Sequence, residues 1–243
     1  MEVLGTKMGR KDSKELRDAL RRCALFAGIS SEGLDRVATV GTFVLHQPGE
    51  EIVSHKDETD DVLVLLSGIA RIVIYSSGGR AVTYGRLHPG ELFGEFAAID
   101  GGPRSASVEA VQGSRVLRLA AVVFWELMAS EPAFSRAIVT HLVGTARKLT
   151  ERVFEFSTLA VNNRIHAELL RLVRESVGQG GEAVVAPMPT HSEIAERIST
   201  HREAVARELS HLSEIGVVAR RGNRLTVTDL PRLEKMVHEA TGE

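Results

Sequence analysis

The sequence predicts an α+β fold in three successive parts: a run of short strands, one long helix, and a compact helical region that ends in a hairpin. Three observations predict it. From Phe43 to about Leu119, short apolar runs alternate with glycine-containing turns. From Pro132 the apolar spacing becomes helical and long, and after Pro187 two short helical patterns precede two strands around Gly222-Asn223. Short strands joined by tight turns imply an antiparallel barrel, sandwich or roll.

The chain has 243 residues, 43% hydrophobic and 26% charged, which is the composition of a folded protein with room for one large domain or two ordinary ones. Its one cysteine, Cys23, excludes an intramolecular disulfide framework and a multi-cysteine zinc or iron–sulfur site, and fits a reducing cytoplasm. No stretch approaches the about 20 apolar residues of a membrane span. Met1 to Lys11 is polar and basic with no apolar signal segment behind it, so a cytoplasmic location is expected. The net charge is −2, and Pro187 to Glu243 carries eight Lys/Arg against nine Asp/Glu. Charge therefore neither supports nor excludes DNA, since a specific binder needs only a local basic face.

In chain order, Ser13 to about Val40 reads as short helices. Leu16, Leu20, Cys23 and Ala24 lie at helical spacing, Gly28 interrupts them, and Ser30 or Ser31 can cap a second turn through Leu34, Val37 and Ala38. Strand character follows at Phe43–Leu45, Val62–Leu66, Arg71–Tyr75, Val82–Tyr84 and Arg115–Leu119. These runs are separated by Pro48-Gly49, Ser67-Gly68, Gly78-Gly79, Pro89-Gly90 and Gly101-Gly102-Pro103. On the long helix, Ile138, Leu142, Thr145, Leu149, Val153 and Phe156 step by threes and fours, a narrow seam of the kind that faces a second helix, and a parallel homodimer is expected. Asn162-Asn163 can cap a helix over Arg164 to Ser176, and a loop containing Gly178, Gly180 and Gly181 follows.

The richest segment is Phe93 to Ala106. Gly94 permits positive φ or close backbone approach, and the residues after it can present backbone N–H groups to an anion. Arg104 offers a planar, permanently charged fork for a phosphate, and Ser105 a hydroxyl donor. A carboxylate such as Glu95 suits a ribose hydroxyl. The residues alone equally allow a surface ion pair beside a turn. The segment Gly94-Glu95-Phe96-Ala97, then Pro103-Arg104-Ser105-Ala106, resembles the cyclic-nucleotide-binding domain family, as do Pro48-Gly49-Glu50 and Leu65-Leu66-Ser67-Gly68 upstream. The resemblance implies a β-roll with Glu95 on the ribose 2′-hydroxyl and Arg104 and Ser105 on the cyclic phosphate. The backbone at Phe96 and Ala97 would help to cradle the nucleotide. Where the catabolite activator proteins of this family put adjacent Thr and Ser against the purine, this chain has Leu149 and Thr150. Cyclic AMP is the ligand expected first, with cyclic GMP as the alternative; no cofactor is expected.

Thr190 can cap a helix through Glu193, Ile194, Ala195 and Ile198 at capping-box spacing, and Ser199-Thr200 makes a turn. A second helix from His201 would bury Val205, Leu209, Leu212 and Ile215 and project Arg202, Glu203 and Arg207. A solvated amphipathic helix would explain this spacing as well. The stretch Thr190 to Val218, with its Arg202-Glu203-Ala204-Val205-Ala206-Arg207 run, is similar to the helix-turn-helix of the catabolite activator/FNR superfamily. That resemblance implies Arg202 and Arg207 on guanines, Glu203 on a cytosine, and a TGTGA-type inverted palindrome as target. His201 and His191 are further candidates for phosphates, Ala204 stands where the activators often have Thr, and the hairpin around Arg220-Arg221-Gly222-Asn223-Arg224 would form a wing. RNA polymerase is an implied partner, through a loop at Gly178–Ala186.

The expected organisation is residues 13–131 as the nucleotide-binding roll, 132–160 as dimerisation helix and hinge, and 161–243 as the winged helix-turn-helix. The hinge is expected near Ser157–Asn162. Ala160 replaces the family's usual Asp, which leaves Asn162 or Asn163 to cap. An enzyme is not expected: there is no Gly-x-Ser-x-Gly, no metal-ligand His pair and no Walker-type Gly-Lys-Ser/Thr. The alternative is a regulator of the same fold that is ligand-independent or senses another small molecule.

Overall fold

Strand alternation builds the first half of the molecule. The computed structural model describes residues 16–21, 23–78, 81–177 and 183–242. Ser13, Gly79 and the loop residues 178–182 therefore lie outside the described residues. The chain divides into two units, one running to Thr145 and the other beginning at Ala146.

In the first unit, residues 16–21 (α1) are helical and Ala24–Phe26 form a 3₁₀ turn. The helix α2 (Ser31–Val40) is capped by Ser30, whose side chain accepts from the Gly33 amide at 3.0 Å. Eight strands form two four-stranded antiparallel sheets. One has the order β1 (Thr42–His46), β8 (Ser114–Leu119), β3 (Val62–Ser67), β6 (Leu92–Phe93). The other has the order β2 (Glu51–Val53), β7 (Ser107–Ala110), β4 (Ala70–Tyr75), β5 (Ala81–Leu87). This is the predicted roll. The strands β2, β6 and β7 are not singled out by the sequence, because runs of three, two and four residues are too short to show a period.

Strand β3 is buried on both faces, which is why Val62–Leu66 reads as an unbroken apolar run. Val62 and Val64 join a core under the helices with Phe26, Val37, Phe124, Phe134 and Ile138. Leu63 and Leu65 face the other way, with Phe93, Val108 and Val116. Successive strand residues point to opposite faces, so one strand serves two cores. The helix α4 (Ala121–Ser130) supplies Phe124 and Leu127 to the first core.

The long helix is α5 (Pro132–Thr158), 27 residues. Its first turns bury Phe134 and Ile138 in the roll's own core, and Leu142 packs partly against the same core. Ile138 and Leu142 of the expected seam are therefore claimed by the roll in this half. The large apolar residues left open on α5 are Val139, Val143, Leu149, Val153, Phe154 and Phe156. Adjacent stripes on a helix differ by only about 100°, and a spacing pattern does not say which one the domain claims.

In the second unit, α6 (Val161–Val177) follows α5 after only Leu159 and Ala160. This corrects the expected cap: Asn162 and Asn163 lie inside the first turn, and Arg164 N–H reaches Ala160 O at 3.0 Å. Val161, Ile165 and Leu169 all pack into the second core, and that burial starts the helix one turn earlier than the capping preference suggests. A buried ionic network ties the end of α5 to α6 and to α7 (His191–Arg197). Glu168, with a fully buried side chain, accepts from Arg197 Nη1 at 2.7 Å, from Arg152 Nη2 at 3.0 Å and from Arg171. Arg171 also reaches Glu155 at 2.5 Å. Burial alone would raise the Glu168 pKa, but Arg152, Arg171 and Arg197 together hold it below the ordinary carboxylate value.

The rest of this unit is α8 (Arg202–Glu214), the hairpin β10 (Val218–Arg221) and β11 (Arg224–Val227), and α9 (Leu230–Thr241). Gly222 takes φ 59° in the two-residue turn, a conformation that suits glycine. A third strand, β9 (Val184–Val185), pairs with β11 and was not predicted. Among the described residues no helix is long and apolar enough to cross a membrane.

Candidate functional site

Strand β6 ends at Phe93, and the chain turns through Gly94 into α3 (Glu95–Asp100). Gly94 has φ 80°, and a Cβ there would come within 2.6 Å of Arg104 Nη1 and 2.9 Å of Leu63 Cδ1. Glycine is thus required for conformation and for space. Gly101 (φ 68°) closes α3, and Gly102 N–H donates to Asp100 Oδ1 at 2.8 Å, so the chain turns back and delivers Arg104 beside Gly94.

Arg104 is buried, 3% exposed. Its Nη1 donates to the Gly94 carbonyl at 2.8 Å and its Nε to Thr59 Oγ1 at 3.0 Å. Its backbone is pinned as well, with N–H to Asp57 O at 2.8 Å and its carbonyl accepting from Lys56 N–H at 2.9 Å. Burial lowers its pKa, while the Asp61, Asp57 and Asp60 carboxylates push it back up. No carboxylate forms an ion pair with Arg104 among the described residues.

Glu95, 6% exposed, opens α3 and meets His141 of α5, Nε2 to Oε1 at 3.1 Å. Phe96 is half-exposed and Ala97 is buried, both in the first turn of α3, where helix amides lack intrahelical acceptors. Ser105 is exposed just before β7. The structure therefore brings Gly94, Glu95, Phe96, Ala97, Arg104 and Ser105 into one turn–helix–turn segment. Thr150 belongs to the second unit, exposed on α5, and its hydroxyl donates to Ala146 O at 3.0 Å. Thr59 and His141 were missed in the sequence. Thr59 lies in an acidic loop and His141 on a helix 46 positions from Glu95, and no spacing rule connects either to the motif.

In the second unit, Thr190 caps α7 with both halves of the capping box. Glu193 N–H reaches Thr190 Oγ1 at 3.2 Å, and Thr190 N–H reaches Glu193 Oε2 at 2.7 Å. Ser199, with φ 51°, makes the turn, and Thr200 N–H returns to Ala195 O at 3.0 Å. The helix α8 then starts at Arg202, with His201 at the cap position but making no side-chain cap bond. Val205, Leu209 and Leu212 are buried, while His201, Arg202, Glu203 and Arg207 are exposed. Arg202 Nε lies 3.4 Å from Glu203 Oε1, with both side chains largely in solvent. His191, at the start of α7, is held below the ordinary histidine value by burial and then by the charges of Arg220 and Arg202. Arg220 of the hairpin and Arg202 at the start of α8 thus both act on the start of α7.

Comparison with known proteins agrees with this division of labour. The cyclic nucleotide-binding domain description matches residues 43–131, and the Crp-like helix-turn-helix domain description matches 163–236. The chain is 31% identical over 215 residues to the cyclic AMP receptor protein of Thermus thermophilus, covering 87% of this chain and 95% of that protein. It is 22% identical to a CRP-like cAMP-activated global transcriptional regulator of Mycobacterium tuberculosis, covering 90% of this chain and 98% of that one. In fold it is similar to the FixK2 structure from Bradyrhizobium japonicum, with TM-score 0.72, 20% identity, and coverage of 81% of this chain and 97% of that one. With both domains matched in order and the first of these relatives aligned along nearly its whole length, this chain belongs to the Crp–Fnr family of transcription regulators, a cyclic nucleotide-binding domain followed by a Crp-like helix-turn-helix.

Proposed function

We propose that the chain is a cytoplasmic, homodimeric regulator, not an enzyme, whose binding to TGTGA-type palindromes is switched by cyclic AMP. The observation that carries the reading is the buried guanidinium of Arg104 with no carboxylate paired to it. Buried charges are normally paired, and one left open beside a glycine turn suits an anionic ligand. Arg104 and Ser105 take the cyclic phosphate, Glu95 takes the ribose 2′-hydroxyl, and the Gly94–Ala97 backbone lies against the sugar-phosphate. Thr150 meets the base. Cyclic AMP is preferred over cyclic GMP because two relatives carry cyclic AMP in their names. The second copy packs along α5, whose open apolar residues Val139, Val143, Leu149 and Val153 support a helix–helix seam. RNA polymerase is the further partner.

On DNA, Arg202 and Arg207 fork onto guanines, Glu203 accepts from a cytosine amino group, and His201 contacts phosphate. Calorimetry with cyclic AMP and cyclic GMP, followed by DNA titrations with and without each, tests the switch. Saturating cyclic AMP is expected to raise affinity for a TGTGA palindrome by roughly 5–150-fold, the usual range of allosteric coupling. Unchanged DNA affinity at saturating nucleotide would refute it. Arg202→Ala is expected to cost about 1–3 kcal/mol of specific DNA binding. It should leave the nucleotide isotherm as in the wild type; equal affinity for the palindrome would remove Arg202 from the reading surface.

A further inference from the structure

Glu95 is held by a side chain that no motif marks. His141 Nε2 lies 3.1 Å from Glu95 Oε1, with Glu95 8% and His141 32% exposed at the side chain. An ionised carboxylate only accepts, so Nε2 is the donor in this contact. The second oxygen, Oε2, has no protein partner among the described residues and is not sealed from solvent. Tying one oxygen of a carboxylate limits the directions in which the other can point, as second partners of metal-binding and catalytic side chains do. The imidazole also gives Glu95 a partner other than Arg104. The two opposite charges, only nine positions apart, remain separate, each with its own partner.

We propose that His141 is a positioning residue of the nucleotide site, which fixes Glu95 through Oε1 so that Oε2 meets a ribose 2′-hydroxyl and the site discriminates against 2′-deoxyribose. This rests on the assignment of Glu95 to the ribose. Because His141 belongs to α5, the same hydrogen bond makes the sugar contact depend on the placement of the long helix.

The test is calorimetry with cyclic AMP and 2′-deoxy-cyclic AMP on the wild type, His141→Leu and His141→Gln. A hydrogen bond to a charged acceptor predicts that the wild type prefers the ribose form by roughly tenfold or more. His141→Leu is expected to lose most of that preference by weakening cyclic AMP alone, leaving the deoxy isotherm within about twofold. His141→Gln, whose amide can still donate, is expected to retain it. The deoxy isotherm reports a folded site in every variant. Equal losses for both nucleotides in His141→Leu, or no loss for either, would overturn the role of His141 while leaving the nucleotide site intact. A wild type that binds cyclic AMP without any preference for the 2′-hydroxyl overturns the assignment of Glu95 and His141 together, and one that binds neither nucleotide overturns the proposed function itself.

Discussion

Glu168→Gln is expected to destabilise the DNA-binding unit by about 3–5 kcal/mol, the cost of removing one partner from a buried ion pair. Glu168 accepts from three arginines; after substitution Arg152 and Arg171 would share Glu155, and Arg197 would lose its carboxylate among the described residues. Arg197, itself 4% exposed, already has one buried amino nitrogen without a partner and cannot turn to water without unpacking α7. Urea or thermal unfolding of the wild type and variant measures the loss, and a change under about 1 kcal/mol would show that the cluster relaxes freely. The pH dependence has a definite sign. The Glu168 pKa is depressed in the folded state, so its contribution is present above the ordinary value of 4.5 and is lost as pH falls through the folded value. In acid, the wild type should therefore lose stability toward the level of Glu168→Gln, and the gap between the two curves should close below pH 4.5.

How legible these features are in the sequence depends on how local their causes are. The capping box at Thr190, the left-handed turn at Gly94, the hairpin turn at Gly222 and the unbroken apolar run of Val62–Leu66 are set within a few residues, and each was legible. The glycine, carboxylate and arginine of the nucleotide segment lie within one short stretch, and family resemblance gave them an order and a role. What escaped depends on distant partners. Ile138 is a seam residue by spacing, yet it goes into the roll because Phe26, Phe124 and Phe134 form a pocket that no periodicity encodes. No spacing pattern joins the charges at 152, 155, 168, 171 and 197, and only the packing of three helices makes them a buried network. His141 was hidden for the same reason.

On the proposed reading, Arg104→Lys is expected to weaken cyclic nucleotide binding by at least 100-fold. Of the five N–H donors of its guanidinium, the protein takes two, for the Gly94 carbonyl and Thr59, and three remain to fork onto a phosphate. Two charge-assisted bonds at about 1.5–3 kcal/mol each correspond to roughly 10²–10⁴-fold in affinity. Lysine keeps the charge but presents a single nitrogen, which cannot hold Gly94 and Thr59 while also spanning two phosphate oxygens. Alanine is the poorer probe, because it removes the charge and also takes the donor from the half-buried Gly94 carbonyl, and so mixes folding with binding. Gly94→Ala provides an independent check. Its Cβ would stand 2.6 Å from Arg104 Nη1 at a φ of 80°, displacing the arginine without removing it, so it too should lose nucleotide affinity. Calorimetry paired with thermal unfolding separates the effects: Arg104→Lys should lose the isotherm while the melting temperature stays within a few degrees. Nucleotide affinity within tenfold of the wild type in both variants would remove Arg104 from the site, and the anion would then have to be held by the exposed Ser105 and the α3 backbone alone.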